Sequence, residues 1–280
     1  MSEQVRIEQR IRHLDELGEV VGAMRTLAAS HVHQARARIA ATQAYLHTLE
    51  AALARVVTML PPVDGPRGDG GACAWIVLGG EHGFCGDFAG RLVSRLGMVV
   101  TRGDLVMVLG SRSAALAREH GIEIEWAEAM VSHAGGVLAM ARDAVDALYE
   151  RIVADRVRRV GLIHGEGTGT GSFEVRVQGV LPLDLETFRR DDTGPSALSN
   201  LPHDKLAERL VDEYVLARVV HAGTASLAAE NGARLLATTA AGDAVAERVE
   251  MLRGQSRRLR QSAITAELAE LIGSGAFDNA

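Results

Sequence analysis

The side chains suited to nucleophilic or metal chemistry are few and scattered in this sequence. His82 and Cys85 place a base near a nucleophile, but no third group that would orient the base is evident. His31, His33 and His221 lack the i, i+4 spacing and the acidic partner of a helical metal site. We therefore predict no catalytic residue and no metal site.

The glycine-rich stretches do not predict a nucleotide site. Lys205 is the only lysine, and its context, Pro-His-Asp-Lys-Leu, lacks the Gly-Lys-Ser/Thr of a phosphate-binding loop. Four glycines after the first predicted strand do not have the spacing of the dinucleotide fingerprint. They are Gly79, Gly80, Gly83 and Gly86. We interpret them as a strand-to-helix turn and predict no cofactor.

A long amphipathic helix is predicted over residues 1–60. Apolar and small residues from Ile7 to Leu60 recur at steps of three or four, with a mean of about 3.5 residues, which is typical of a coiled-coil seam. Proline is absent before Pro61, and interior glycines cost only about 1 kcal/mol each relative to alanine. An ordinary pair of core helices is the alternative, but the seam is much longer than such helices usually are.

A second run of the same spacing extends from Leu206 to Ala266 and predicts a helix over 204–275. Many of its seam residues are small, so two backbones can approach closely there. His31 and His221 fall on the two seams, where we expect hydrogen-bonded core histidines. Glu230 and Asp243 are isolated carboxylates, which are usually solvated or paired. The two terminal helices are predicted to form a long antiparallel coiled coil.

The middle of the chain predicts an α/β domain over 72–185, between a linker at 61–71 and another at 186–203. Apolar strands alternate with helices there, which is typical of a Rossmann-like, mainly parallel sheet. The predicted strands are 73–78, 105–109, 122–126 and 157–164, with an edge strand or hairpin at 173–185. The predicted helices are 88–96, 112–120 and 137–153.

Composition excludes several classes of protein. The formal net charge of -6 argues against a general nucleic-acid binder. No stretch approaches the roughly 18 apolar residues of a membrane span, and the start of the chain is charged and not signal-like. Cys73 and Cys85 cannot build a disulfide framework. We expect a soluble, cytosolic protein.

Four segments carry a family resemblance. Residues 22–30 are similar to a Lys-Ala-Met…Val-Ala-Ala-Ser-Lys segment, and residues 83–86, Gly-Phe-Cys-Gly, are similar to Gly-Leu-Cys-Gly. Residues 226–234 resemble Ser…Glu-Asn-Ala-Ala-Arg-Met. Residues 260–273 resemble Arg-Gln-Ala-x-Ile-Thr-x-Glu-Leu-x-Glu-Ile-Val-Gly. All four motifs are those of the gamma subunit of F-type ATP synthases.

The resemblance implies a non-catalytic rotor subunit. In that family the terminal helices form a shaft inside a ring of three alpha and three beta subunits, and its rotation couples ion translocation to ATP synthesis or hydrolysis. The implied partners are the alpha and beta subunits, the epsilon subunit and the membrane ring of c subunits. The implied location is peripheral, at the cytoplasmic face of a bacterial inner membrane, with membrane association only through the complex. A chain this divergent is compatible with an alternative F-type complex.

The resemblance also implies which residues contact the alpha/beta ring. They are Met24, Arg25, Arg257, Arg258, Arg260, Gln261, Thr265 and Glu267. For the arginines, a solvated helix face is the alternative. Gly83, Cys85 and Gly86 are expected to form a structural turn.

The lysines that usually precede Ala-Met are missing, since Asp15, Glu16, Glu19 and Gly22 stand there. Contact with an acidic beta loop is therefore expected to be weaker or differently placed. A rival hypothesis is a small α/β enzyme or nucleotide-binding protein with a helical dimerisation stalk, which would be active alone.

Overall fold

The computed structural model describes residues 3–60, 71–169, 171–183 and 201–275. Its helices are α1 (Glu3–Met59), α2 (Phe88–Val99), α3 (Ser111–Glu119), α4 (Val137–Val153) and α5 (His203–Gly275). Its strands are β1 (Cys73–Leu78), β2 (Leu105–Leu109), β3 (Trp126–Glu128), β4 (Arg159–Gly167) and β5 (Phe173–Leu181). The two long terminal helices are confirmed. The predicted linkers lie almost wholly outside the described residues, and the domain boundaries stay a prediction.

The five strands form one sheet in the order β3-β2-β1-β4-β5. Helices α2, α3 and α4 connect successive strands from β1 to β4, and these four strands are parallel to their neighbours. The edge strand β5 runs antiparallel to β4. The prediction of a mainly parallel sheet with an added edge strand is confirmed.

The predicted position of the third strand is wrong by a few residues. Ile122 is still tied to the end of α3, because its N–H donates to the carbonyl of Ala117 at 3.0 Å. Ile122 and Ile124 pack against the core, but pairing with β2 begins only at Trp126. The alternation of apolar residues at 122 and 124 therefore predicted burial correctly. It could not predict where strand pairing begins, because pairing depends on the position of the neighbouring strand β2.

Helices cover both faces of the sheet. Ile76 and Leu78 of β1 share one core with α4 and with parts of α1 and α5. Val77, on the opposite face, shares a second core with Phe88 and Leu92 of α2. Because both faces are buried, the central strands are continuous apolar runs, as parallel sheets require.

The chain divides into two compact units, one formed by residues 28–235 and the other by the residues at both ends. In the terminal unit, Asp15 pairs with Arg253 at 3.3 Å and Glu8 pairs with Arg260 at 3.7 Å. Descending numbers on α1 thus meet ascending numbers on α5, which confirms the antiparallel pairing. Within the described residues, Leu17 is the only exposed member of the predicted α1 seam.

Within the larger unit, a buried serine joins α5 to the sheet. The Ser226 hydroxyl accepts a hydrogen bond from the Gly165 N–H at 3.1 Å and donates one to the carbonyl of Leu78 at 2.5 Å. These two groups lie near the carboxyl ends of β4 and β1. A Cβ atom on Gly165 would lie 2.6 Å from Phe88 Cε2 and 3.0 Å from Ala229 Cβ, so the helix approaches as closely as glycine permits.

A histidine links α1 to α5 in the same unit. The Thr42 hydroxyl donates to the carbonyl of Ile39 at 3.0 Å, so it accepts from Nδ1–H of His221 at 2.9 Å. This confirms the expected hydrogen-bonded histidine, whereas His31 is half-buried. Burial lowers the pKa of His221, and the nearby His164 and Arg218 lower it further. Glu166 has the opposite effect and raises this pKa. Burial also lowers the pKa of His164.

Ser226→Ala is expected to reduce the free energy of unfolding by about 1–3 kcal/mol, because it leaves the buried Gly165 N–H and Leu78 carbonyl without a partner. Denaturant unfolding of the full chain measures this change. Ser262→Ala, at an exposed position of α5, is the matched control and should stay within about 0.5 kcal/mol. Equal losses in the two variants would contradict the anchoring role of Ser226.

Stability is expected to fall as the pH is lowered from 7 to 5. The unfolded chain binds protons near the ordinary histidine pKa of about 6.5, whereas the folded chain resists protonation because the pKa values of His164 and His221 are lowered. The slope contributed by each histidine is at most about 1.4 kcal/mol per pH unit. Denaturant midpoints at pH 5, 6 and 7 should show a smaller slope for His164→Gln and an unchanged slope for Ser262→Ala, an exposed position that does not titrate. An unchanged slope for both variants would contradict this assignment.

Candidate partner-contact surface

The end of α5 is exposed on all sides. Every residue from Arg260 to Glu270 is exposed, so Ala263 and Ala266 are not seam residues as predicted. Glu8 pairs with Arg260, which places Glu3, where α1 begins, level with about residue 265. Among the described residues, the last turns of α5 therefore have no helix beside them.

This exposed segment carries an apolar stripe. Ile264, Leu268 and Ile272 are 51%, 54% and 73% exposed. Their i, i+4, i+8 spacing places them on one side of the helix. Apolar side chains grouped on an exposed surface are typical of a site that a partner covers.

Polar residues of the same segment are also accessible. Arg257 pairs with Glu250 at 3.0 Å, and Arg260 pairs with Glu8 at 3.7 Å, with all four side chains substantially exposed. Exposed ion pairs contribute at most about 1 kcal/mol, so these arginines can exchange their carboxylates for a partner's at little cost. The other predicted contact residues on α5 are exposed as well: Arg258, Gln261, Thr265 and Glu267.

The predicted contact residues on α1 lie elsewhere. Met24 is half-buried and Arg25 is exposed. Arg25 follows Glu8, the partner of Arg260, by 17 residues along a continuous helix, which corresponds to about 25 Å. The structure therefore separates the predicted contacts into two groups along the paired helices.

A groove lies beside Arg25 in the terminal unit. Its volume is about 440 Å³, and Gly22 and Gly242 are among the small residues that line it. Asp243, predicted as an isolated carboxylate, also lines it. A Cβ atom on Gly22 would meet nothing within 4 Å, so the departure from lysine at this position leaves open space between the helices.

The predicted structural turn follows β1. Phe84 and Gly86 both have left-handed backbone, with φ of 59° and 58°. Cys85 is buried and its thiol donates to the carbonyl of His82 at 3.3 Å, whereas the Phe84 side chain is 73% exposed. The turn therefore buries its cysteine and presents its phenylalanine to solvent.

Residues of α5 hold this turn, and the sequence did not reveal them as a set. Glu230 is buried and pairs with Arg234 at 2.6 Å, so it is neither isolated nor solvated. Arg234 Nε also donates to the carbonyl of Gly83 at 3.3 Å. The i, i+4 spacing of Glu230 and Arg234 was the available signal, but the contact with the turn requires the tertiary structure.

The side chains of His82 and Cys85 have different hydrogen-bond partners. The thiol bonds to the backbone carbonyl of His82, while the ring Nε2 of His82 lies 3.3 Å from the Ser132 hydroxyl. Burial raises the pKa of Cys85, and the Glu230 carboxylate raises it further against Arg234 and Arg112. Burial and the carboxylate both favour the neutral thiol over the thiolate.

The usual ligand crevice of such a sheet is filled. Doubly wound sheets bind ligands beyond the carboxyl ends of the strands, at the point where strand order reverses. Here that point lies between β1 and β4, and Ser226 of α5 bonds to both strand ends. Glu81 beyond β1 is also engaged: burial raises its pKa, but hydrogen bonds from Ser111 and Met130 outweigh burial and hold the pKa below the usual range.

Among the residues that the structure describes, no group of three or more histidines, cysteines or carboxylates is placed to hold a metal ion. Within the same ranges, no helix is long and apolar enough to cross a membrane.

Comparisons with known proteins agree with this architecture. A family model described as ATP synthase matches residues 4–276. The ATP synthase gamma chain of Burkholderia ambifaria is 26% identical, covering 96% of this chain and 97% of its own length. That of Heliobacterium modesticaldum is 24% identical, with the same coverage.

Solved structures share the fold. The rotor of the Euglena gracilis mitochondrial ATP synthase matches with a TM-score of 0.65 at 12% identity, over 93% of this chain and 98% of that chain. The central stalk and c-ring structure of the Tetrahymena thermophila enzyme matches with a TM-score of 0.58 at 15% identity, over 79% and 99%. The chain therefore belongs to the ATP synthase gamma-chain family, whose members are non-catalytic subunits of the F-type central stalk, peripheral to the membrane sector.

Proposed function

We propose that the exposed end of α5, from Arg260 onward, is the surface through which this rotor subunit engages the ring of alpha and beta subunits. The observation that supports this proposal is the exposure of every residue from Arg260 to Glu270, with apolar side chains aligned on one side. A helix that is exposed on all sides gains little stabilisation from contacts with the rest of its own chain. A surrounding partner would bury the stripe and pair with the arginines.

Coupling of rotation to ATP synthesis or hydrolysis would then follow from unequal contact between the shaft and the subunits around it. A shaft that presents different side chains in different directions stabilises a different conformation of each surrounding subunit at each angle, which shifts populations by differential binding. Arg260 and Gln261 are the residues proposed to form hydrogen bonds with ring loops, because a guanidinium gives strong charge-assisted bonds. Arg257, Arg258, Thr265 and Glu267 are proposed as flanking contacts. Met24 and Arg25 are proposed as a separate contact on α1.

The remaining partners are proposed from the family to which the chain belongs. The epsilon subunit and a membrane ring of c subunits are assigned to this chain because gamma chains share the central stalk with them. We place the chain at the cytoplasmic face of a bacterial inner membrane, in a proton- or sodium-translocating complex. The rival hypothesis, an enzyme with a helical stalk, is not favoured, because α5 covers the sheet edge that would hold a ligand.

Arg260→Ala and Gln261→Ala are each expected to lower ATP hydrolysis by a complex of alpha, beta and this chain. Losing one charge-assisted bond of about 1.5–3 kcal/mol predicts a decrease of about tenfold or more for Arg260→Ala, and less for the neutral Gln261→Ala. Steady-state ATP hydrolysis by the purified complexes measures this decrease. Arg248→Ala, an exposed α5 arginine outside the proposed contact, is the matched control. Equal turnover in all four complexes would refute the proposed contact.

Truncation of the chain after Leu259 is expected to leave the stability of the isolated protein nearly unchanged, because residues 260–270 are exposed. The same truncation should weaken assembly with the alpha and beta subunits or reduce turnover. Thermal unfolding of the chain and ATP hydrolysis by the complex measure the two effects. A truncated chain that assembles and works normally would show that the ring contact lies elsewhere.

A further inference from the structure

A buried polar cluster on α5 has no part in the proposed ring contact. Glu230, Asn231 and Arg234 are 2%, 2% and 9% exposed. Charged side chains are seldom buried to this degree unless they are paired. The cluster lies within the unit formed by residues 28–235.

Every arm of the Arg234 guanidinium has an acceptor. Nη2 donates to Glu230 Oε1 at 2.6 Å, and Nη1 donates to Asn231 Oδ1 at 2.9 Å. Nε donates to the backbone carbonyl of Gly83 at 3.3 Å. Two of these acceptors belong to α5, and the third belongs to the turn after β1.

Glu230 provides a second link to the same turn. Its Oε1 atom accepts from the backbone N–H of His82 at 3.4 Å. The carboxylate and the guanidinium therefore each bond to the helix side of the cluster and to the backbone at residues 82–83. Asn231 Nδ2 donates to the carbonyl of Leu227 at 2.9 Å, which fixes the amide that orients Arg234.

The turn that receives these bonds is strained and exposed. Phe84, a residue with a Cβ, has a φ of 59°, which costs roughly 1–2 kcal/mol for an L-residue. Its ring is 73% exposed while the adjacent Cys85 is 3% exposed. Such a conformation persists only where surrounding contacts impose it.

Neighbouring contacts do not replace the cluster. Ser226 bonds to the ends of β1 and β4 but not to the turn. The Cys85 thiol donates to the carbonyl of His82, so this bond connects the turn to the residue just before it and not to α5. Side-chain bonds from α5 to residues 82–83 come from Glu230 and Arg234.

We propose that Glu230 and Arg234 are positioning residues that hold the backbone at residues 82–83, and with it the turn at 83–86, against the part of α5 within residues 203–235, so that the turn and this part of the helix move together. The proposal rests on the rotor function of the chain. A buried ion pair contributes little net stability compared with an apolar pair of similar size, but removing one partner leaves an uncompensated charge. The pair therefore provides a rigid, directional link between α5 and the backbone at residues 82–83, and contributes little to the free energy of folding.

The two cysteines of the chain allow a local test. Cys85 lies in the turn, and Cys73 lies buried in β1 as an internal reference. Alkylation of the full chain at pH 8, resolved by peptide mass spectrometry, should be about tenfold or more faster at Cys85 in Arg234→Ala than in the unmodified chain, because loss of a buried partner promotes local opening. The rate at Cys73 should not change.

Milder variants keep the test decisive if Arg234→Ala folds poorly. Arg234→Lys retains the charge but not the fork that reaches Gly83, so it should increase Cys85 alkylation by a smaller factor. Glu230→Gln should do the same when alkylation rates are compared per thiolate, from their pH dependence, because the Glu230 carboxylate itself raises the pKa of Cys85. Arg218→Ala is the matched control, because Arg218 lies on the same helix and pairs with Glu50 at 3.0 Å without touching the turn. Unchanged labelling, or equal acceleration at both cysteines, would overturn the proposal in favour of no role or a purely stabilising one.

A functional measurement completes the test. In a complex with alpha and beta subunits, Arg234→Lys is expected to lower ATP hydrolysis at least threefold at normal assembly, whereas Arg218→Ala stays within twofold. Faster Cys85 labelling with unchanged turnover would overturn the positioning role. Because alkylation needs only the chain itself, its result stands apart from any failure of the proposed ring contact.

Discussion

The architecture depends on one buried hydroxyl group. Ser226 satisfies a backbone N–H near the carboxyl end of β4 and a backbone carbonyl at the end of β1, so α5 is joined to both strands at the centre of the sheet. Both hydrogen bonds are buried, and a buried group left unpaired costs about 1–3 kcal/mol. The close approach that this bond demands is possible because Gly165 has no side chain to collide with Phe88 and Ala229.

This junction has a functional consequence. In other doubly wound sheets the carboxyl edge is open, and ligands bind there. In this chain the same edge is the attachment point of a long helix, and the side chains that might have supported chemistry are engaged structurally. Glu81 accepts hydrogen bonds from Ser111 and Met130, and Cys85 is buried with a raised pKa. The sheet therefore holds the adjoining part of α5 at the edge where other such sheets bind ligands, which agrees with the chain's membership of the gamma-chain family.

Polar groups have different roles along the helices. In the larger unit some polar pairs are buried or half-buried and hydrogen-bonded, as in Glu230 with Arg234 and His221 with Thr42. In the terminal unit the ion pairs are exposed, as in Arg253 with Asp15, and therefore weak. Buried networks fix geometry because unpaired members are costly. Exposed pairs hold their members only weakly, so they do not fix geometry in the same way.

Much of this protein was determined by sequence alone. The 3.5-residue spacing predicted both long helices, and the alternation of apolar strands with helices predicted the parallel sheet, because both patterns are set by local geometry. The motifs at 83–86 and 260–273 indicated the family. The sequence could not show where strand pairing begins near Trp126, that Ala263 and Ala266 leave the seam, or that Arg234 reaches Gly83. Each of these depends on which distant segment lies alongside. Tertiary structure alone decided them, because pairing, burial and the Arg234–Gly83 hydrogen bond are formed between residues far apart in the chain.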